Sequence, residues 1–146
     1  MSAVSSEQIA RARGLMRRVD RVALATLLPA AGDADGSGPA PYASLALAAV
    51  DHDLAPVLLL SRLAEHTRAI AADARVSLLF DGTSGLAHAL TGERLSVMGR
   101  AEKSTEPRLR ARYLARHPEA EAYAGFADFS FYRVAVERAH LVAGVG

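Results

Sequence analysis

The sequence predicts a mainly β fold, an antiparallel barrel carrying a few flanking helices. About six segments have the apolar or alternating character of strands, and three or four short ones have helical spacing. Strands adjacent in sequence are joined as hairpins, which favours an antiparallel barrel over a parallel α/β sheet. The glycines form no G-x-G-x-x-G after a strand and no P-loop, so those two nucleotide-binding routes are absent.

The elements follow in order. Ser5-Ser-Glu-Gln8 reads as a capping box opening an amphipathic helix, with Ile9, Ala12, Leu15, Met16 and Val19 on one face. Arg21 to Leu28 is a strand, and the Gly/Pro/Asp-rich stretch Pro29 to Pro41 is a mobile, solvated connection. Tyr42 to Val50 alternates weakly and is expected to form a hairpin with Pro56 to Ser61 through a turn at Asp51-His-Asp53. Helical spacing then runs through Leu63, Ile70 and Ala71 to about Asp73. Arg75 to Phe80 is a short apolar strand expected to be buried on both faces, followed by a Gly/Ser loop from Asp81 to Ala89. Leu90 to Glu102 is a long strand with a bulge expected at Gly99. Thr105 is placed to cap a helix that accepts Pro107 in its first turn, carries Leu109, Tyr113 and Leu114 inward and ends before Pro118. Phe129 to Val142 is the last strand.

The 146 residues suit one domain, 1–146, and the 51% apolar content suits a packed core. No run reaches ~18 consecutive apolar residues, so no transmembrane helix is predicted. The first residues lack the pattern of a signal peptide, and with no cysteine in the chain the expected location is the cytoplasm. The missing cysteines also remove disulfides, thiolate metal sites and cysteine nucleophiles. A net charge of +1 argues against a surface that tracks nucleic-acid phosphates. Of the 17 basic residues all but Lys103 are Arg, which suits bidentate anion binding and is equally what a GC-rich genome produces. His52, His88 and His117 lack metal-ligand spacing, and no serine sits in a G-x-S-x-G elbow, which argues against a hydrolase.

The most informative segment is Ser61-Arg-Leu-Ala-Glu-His-Thr-Arg68, where an apolar strand passes into a helix. Two hydroxyls, two guanidinium groups, an imidazole and the free N–H groups of a helix start suit a phosphate. Spacing alone is explained as well by ordinary capping with solvated arginines.

The order of motifs adds to this. Pro41-Tyr-Ala-Ser-Leu-Ala-Leu47, Pro56-Val-Leu-Leu-Leu-Ser-Arg-Leu-Ala-Glu-His-Thr-Arg68, Asp73-Ala-Arg-Val-Ser-Leu-Leu-Phe80, Gly92-Glu-Arg-Leu-Ser-Val-Met-Gly-Arg-Ala-Glu102 and the closing Phe131 to Gly144 together resemble the pyridoxamine 5'-phosphate oxidase-like family. The Leu-Ala-x-His-Thr segment is similar to the signature of its haem-utilisation branch. The resemblance covers roughly residues 10 to 146. It implies a six-stranded antiparallel split β-barrel that forms a homodimer and holds one FMN at each side of the interface. Ser44, Leu45 and Ala46 would line the isoalloxazine edge with backbone groups. Ser61, His66, Thr67 and Arg68 would hold the phosphate, and Arg94 would approach the flavin or its ribityl chain. Each has a plainer account: Ser44 as a small core residue, His66 as a helix-start cap, Arg94 as a surface residue.

The implied function is an FMN-dependent oxidoreductase acting on an unidentified small substrate, with no residue evident as acid or base. The alternatives are a non-catalytic protein that binds flavin or haem, and an interaction domain without a cofactor. The chain departs from the family at Ala69, often Asn there, and at Ala74, often Pro. It stops before the Arg-x-His of the pyridoxine 5'-phosphate oxidases and before the haem-handling module of the haem-utilisation branch, which continues Gly-Phe-Gly where this chain has Gly144-Val-Gly146. On that basis negligible oxidation of pyridoxine 5'-phosphate and weak haem binding are expected.

Overall fold

The computed structural model describes residues 4–29 and 38–144. Helix α1 (Ser6–Arg18) is followed by β1 (Arg21–Leu28), β2 (Ala40–Leu47), β3 (Ala49–Val50), β4 (Pro56–Ser61), α2 (Glu65–Ala72), β5 (Arg75–Asp81), β6 (Glu93–Ser104), α3 (Pro107–Arg116) and β7 (Phe129–Ala143). Short 3-10 turns occupy Ala89–Thr91 and Pro118–Ala122. The strands form one antiparallel sheet in the order β2-β1-β5-β6-β7-β4-β3, curled into a split barrel. Among the described residues, seven strands replace the expected six because the segment Tyr42 to Val50 is not continuous. It breaks at buried Ala48, whose N–H donates to Asp20 O at 3.0 Å. Residues before the break pair along all of β1, from Arg21↔Leu47 to Leu28↔Ala40, and only Ala49–Val50 forms the expected hairpin with β4. A weakly alternating strand specifies its register poorly, and the eight-residue β1 offers a longer ladder than β4. The loop closing the β1–β2 hairpin, part of the connection expected to be mobile, lies outside the described residues.

The local signals at α1 are confirmed. Ser5 Oγ accepts the Gln8 N–H at 3.1 Å and Gln8 Oε1 accepts the Ser5 N–H at 2.9 Å, a reciprocal box. Leu15 and Met16 are buried, while Ile9 remains exposed. At α3 the cap is Glu106 rather than Thr105, and its N–H donates to Ser104 Oγ at 3.2 Å, with Pro107 opening the helix. In α2 the inward face is Thr67, Ala69 and Ile70; Leu63 and Ala71 point to solvent.

The expectation of a doubly buried strand belongs to β4, not β5. On β5 only Val76, Leu78 and Phe80 point into the barrel, and Leu79 is exposed. On β4, Leu58 and Leu60 join the barrel core with Leu15, Leu24 and Val97, while Val57 and Leu59 pack with Leu109 and Tyr113 of α3 on the other face. The expected bulge appears where the β6–β7 register skips Glu137, between Met98↔Arg138 and Gly99↔Val136. Gly99 is required there because a Cβ would stand 2.1 Å from Ala135 O.

The β3–β4 turn is held by Asp51, whose side chain is fully buried. Its carboxylate accepts from Arg108 Nη2 at 3.1 Å, Arg133 Nε at 3.1 Å and the His52 N–H at 2.8 Å. Its backbone bonds Leu54 and Ala55 across the turn, where Leu54 adopts a left-handed φ of 72°. Burial pushes the Asp51 carboxyl up, but hydrogen bonds from Arg108, His52 and Arg133 outweigh it and hold the group well below the ordinary carboxylate range. Arg133 also pairs with Asp53.

Because its folded pKa is depressed, Asp51 contributes stability that is full above the unfolded value of ~3.9 and is lost as pH falls below it. Asp51→Ala leaves partly buried guanidinium groups without their acceptor and is expected to cost about 3 kcal/mol. Urea unfolding at pH 7 and at pH 3 checks both statements: the loss should be large at pH 7 and smaller at pH 3.

Candidate functional site

β4 ends at Ser61 because the chain turns there. Ala64 N–H donates to Ser61 O at 3.1 Å and Leu63 N–H to Ser61 Oγ at 3.2 Å, closing a turn that leads into α2. Ala64 caps α2 with no side-chain bond, and its carbonyl already takes the Thr67 and Arg68 N–H groups at 3.2 Å, so it is the Glu65 and His66 N–H groups that face other acceptors. The loop before β7 holds this junction in place. Asp128 O accepts the Arg62 N–H at 2.8 Å, and Asp128 Oδ2 accepts the Ser61 hydroxyl at 3.3 Å.

β2 supplies the facing wall. Ser44 and His66, 22 residues apart in sequence, meet with Oγ and Nδ1 at 3.2 Å. Burial pushes the His66 imidazole below its ordinary value, favouring the neutral ring. The cleft between these elements has a volume of about 350 Å³. Ala46, Leu59 and Leu60 form its apolar floor, exposed Leu45 its rim, Tyr113, Tyr123 and Phe129 its aromatic side, and Ser61 and His66 its polar end. Tyr123 and Phe129 have ring centroids 5.0 Å apart.

Of the sequence candidates, Leu45, Ala46, Ser61 and His66 line this cleft directly, and Ser44 touches it through His66. Thr67 lies one residue further into α2, buried, and its Oγ1 has no hydrogen-bond partner. Leaving such a hydroxyl unmet costs about 1–3 kcal/mol. Arg68 points to solvent and pairs with Glu65 at 3.1 Å, a spacing of three along the helix. Arg94 does not line the cleft; its Nη1 donates to Leu90 O, Gly92 O and Gly144 O at 2.8, 3.0 and 2.8 Å. Asp128, Tyr113 and Tyr123 were not among the sequence candidates. Their motifs carry no chemical signature, and only the pairing of β4 with β7 brings Asp128 beside Ser61.

Two other clefts carry less chemistry. A groove of about 480 Å³ between α1 and the β6–β7 pair has walls such as Met16, Leu95 and Val97, and one of about 360 Å³ lies between α1 and α3. Asp51, His52 and Asp53 could converge on a metal, but Arg108 and Arg133 already neutralise both carboxylates.

Residues 10–143 match the sequence family described as pyridoxamine 5'-phosphate oxidase. Over 109 residues the chain is 36% identical to the non-canonical heme oxygenase HOZ, chloroplastic, of Arabidopsis thaliana, covering 72% of this chain and 32% of that protein. The structure of a heme binding protein from Mycobacterium smegmatis superposes with a TM-score of 0.80 at 30% identity, covering 100% of this chain and 57% of that one. Protein Atu2129 of Agrobacterium tumefaciens, of unknown function, gives a TM-score of 0.83 at 29% identity, with 99% and 61% covered. The chain thus spans about a third of the curated relative it matches. HutZ, the heme storage protein of Vibrio cholerae, shares the fold at 18% identity, with a TM-score of 0.73 and coverage of 92% and 93%.

The burial of His66 has a direct readout. In an NMR pH titration its ring should titrate below the ordinary ~6.5. A midpoint at or above that value would mean that the ring is not buried in the cleft.

Proposed function

Since the chain belongs to the pyridoxamine 5'-phosphate oxidase family, we propose that it binds FMN in the cleft between β2, β4 and α2 and serves as a flavin-dependent oxidoreductase. The observation that carries this reading is the polar end of an otherwise apolar cleft. There lies the amino end of α2, which has no side-chain cap. An anionic head placed there would meet the first N–H groups of the helix. The ring system would lie along the backbone of Ser44, Leu45 and Ala46. His66, Thr67 and Arg68 would hold the phosphate, with Ser61 beside them and its hydroxyl already donating to Asp128. Bound FMN supplies the redox chemistry, and the chain's own part is to bind, orient and shield it.

A homodimer belongs to the same proposal. Leu45, Leu63 and Phe126 are 70%, 75% and 57% exposed around the cleft, an apolar rim that a second copy would cover. Arg94, outside the cleft of its own protomer, would approach the flavin from across that interface.

A haem reading has its own support. The Arabidopsis and Mycobacterium relatives, at 36% and 30% identity, are named for haem. His66 also presents an imidazole to an apolar cleft with Nδ1 engaged by Ser44, which leaves Nε2 for a metal ligand bond.

Absorption spectra of the purified chain, titrated separately with FMN and with haem, decide between them. For the flavin, Arg68→Ala is expected to weaken FMN about tenfold and riboflavin much less, an attenuated effect for an exposed guanidinium. Equal losses for both ligands would remove Arg68 from the phosphate site. For haem, a Soret band that shifts on binding and is lost in His66→Ala would replace the flavin reading. Light scattering tests the assembly; a stable monomer that still binds FMN would overturn the dimer.

A further inference from the structure

Ser61 has a single proton to give, and the geometry directs it away from the cleft. Its hydroxyl donates to Asp128 Oδ2 at 3.3 Å, while the same oxygen accepts the Leu63 N–H at 3.2 Å. A carboxylate only accepts, so Ser61 cannot donate to a bound anion while Asp128 holds its proton. The loop that carries Asp128 is tied to the same turn by the backbone bond from Arg62 N–H to Asp128 O, at 2.8 Å. Replacing the side chain therefore leaves the loop anchored.

Charge acts in the same direction. An anionic oxygen bonded to Ser61 would stand within about 6 Å of the Asp128 carboxylate, close enough for like-charge repulsion in a partly desolvated cleft. The other charged groups at this end are Arg62, Arg68 and Glu65, and Glu65 already pairs with Arg68. Two acids thus face two bases, and the positive excess usual for a tight phosphate site is missing.

We propose that Asp128 is a specificity-determining residue of the cleft: by taking the Ser61 proton and placing negative charge beside it, it limits what a phosphate head adds to the binding of a ring ligand. This rests on the cleft being the ring-binding site proposed above. It follows that Asp128 narrows the margin by which the wild-type chain prefers FMN over riboflavin.

The test compares the wild-type chain with Asp128→Asn, an isosteric change that keeps the backbone acceptor and can donate to Ser61. Dissociation constants for FMN and riboflavin are read from flavin fluorescence. Asp128→Asn is expected to tighten FMN about tenfold and to leave riboflavin within about twofold. Adding Ser61→Ala to that variant should cancel the gain, because the released hydroxyl proton is the new donor. Equal changes for both flavins, or a loss of FMN affinity, would overturn the assignment. If neither protein binds any flavin, the ring-binding reading fails by itself, and inorganic phosphate then decides for Asp128. A phosphate-induced shift of the Leu63 to Thr67 amides in Asp128→Asn but not in wild type supports the assignment; the same response in both, or none in either, overturns it.

Discussion

A buried carboxylate with cationic partners from separate elements organises this molecule. Asp51 is removed from water at the β3–β4 turn, which is tolerable only while its lone pairs are satisfied. Arg108 comes from α3, Arg133 from β7 and the remaining donor from the neighbouring His52. These three regions cannot separate without exposing the desolvation cost of the group at their centre. The left-handed Leu54 beside it is a conformation that a bulky residue seldom adopts, and the turn's own hydrogen bonds to Asp51 hold it there.

That clamp decides where β4 lies, and β4 decides where the site lies. With Asp51 fixed, the run Pro56 to Leu60 is held between the barrel core and the α3 layer, buried on both faces. Its last residue, Ser61, emerges where β7 begins, opposite Phe129 in the ladder. The bulge opposite Gly99 lets β7 follow the whole of β6, from Phe131 to Ala143, while the first five residues of β7 pair with β4. The sheet can therefore curl and still leave a gap in which β2, the β4 end and α2 form a cleft.

The chemistry of the cleft lies largely in pairs of side chains that satisfy one another. Ser44 meets His66, Ser61 meets Asp128 and Glu65 meets Arg68. One residue further into α2, Thr67 is buried and its hydroxyl is unmatched. An apolar floor with balanced charge at one end suits a flat ring carrying a polar tail better than a small, highly charged substrate. The fold itself tolerates wide sequence change, as the superposition on HutZ at 18% identity shows. Its requirements are alternation, a few turns and a close approach at Gly99 rather than particular side chains on most positions.

Much of this was legible in the residues alone. The capping box at Ser5, the extents of β1 and β4, the bulge near Gly99 and the terminal strand all depend on interactions within a few residues of sequence, and local pattern reports those well. The segment Ser61 to Arg68 was recognisable because a strand end, a helix start and several polar groups coincide there. The partners were not legible. That β2 pairs with β1 rather than mainly with β4, that β4 and not β5 is buried twice, and that Asp51 is a hub rather than a turn residue all follow from contacts between distant segments. Ser44 and His66 were both candidates, yet nothing in their spacing links them, and Asp128 carried no signal at all. The sequence by itself determined which stretches become strands and helices, since hydrophobic period and capping are local. The tertiary structure decided which hydroxyl, imidazole and carboxylate share a cleft, because hydrogen bonds form between atoms brought within about 3 Å in space, a distance that sequence separation does not encode.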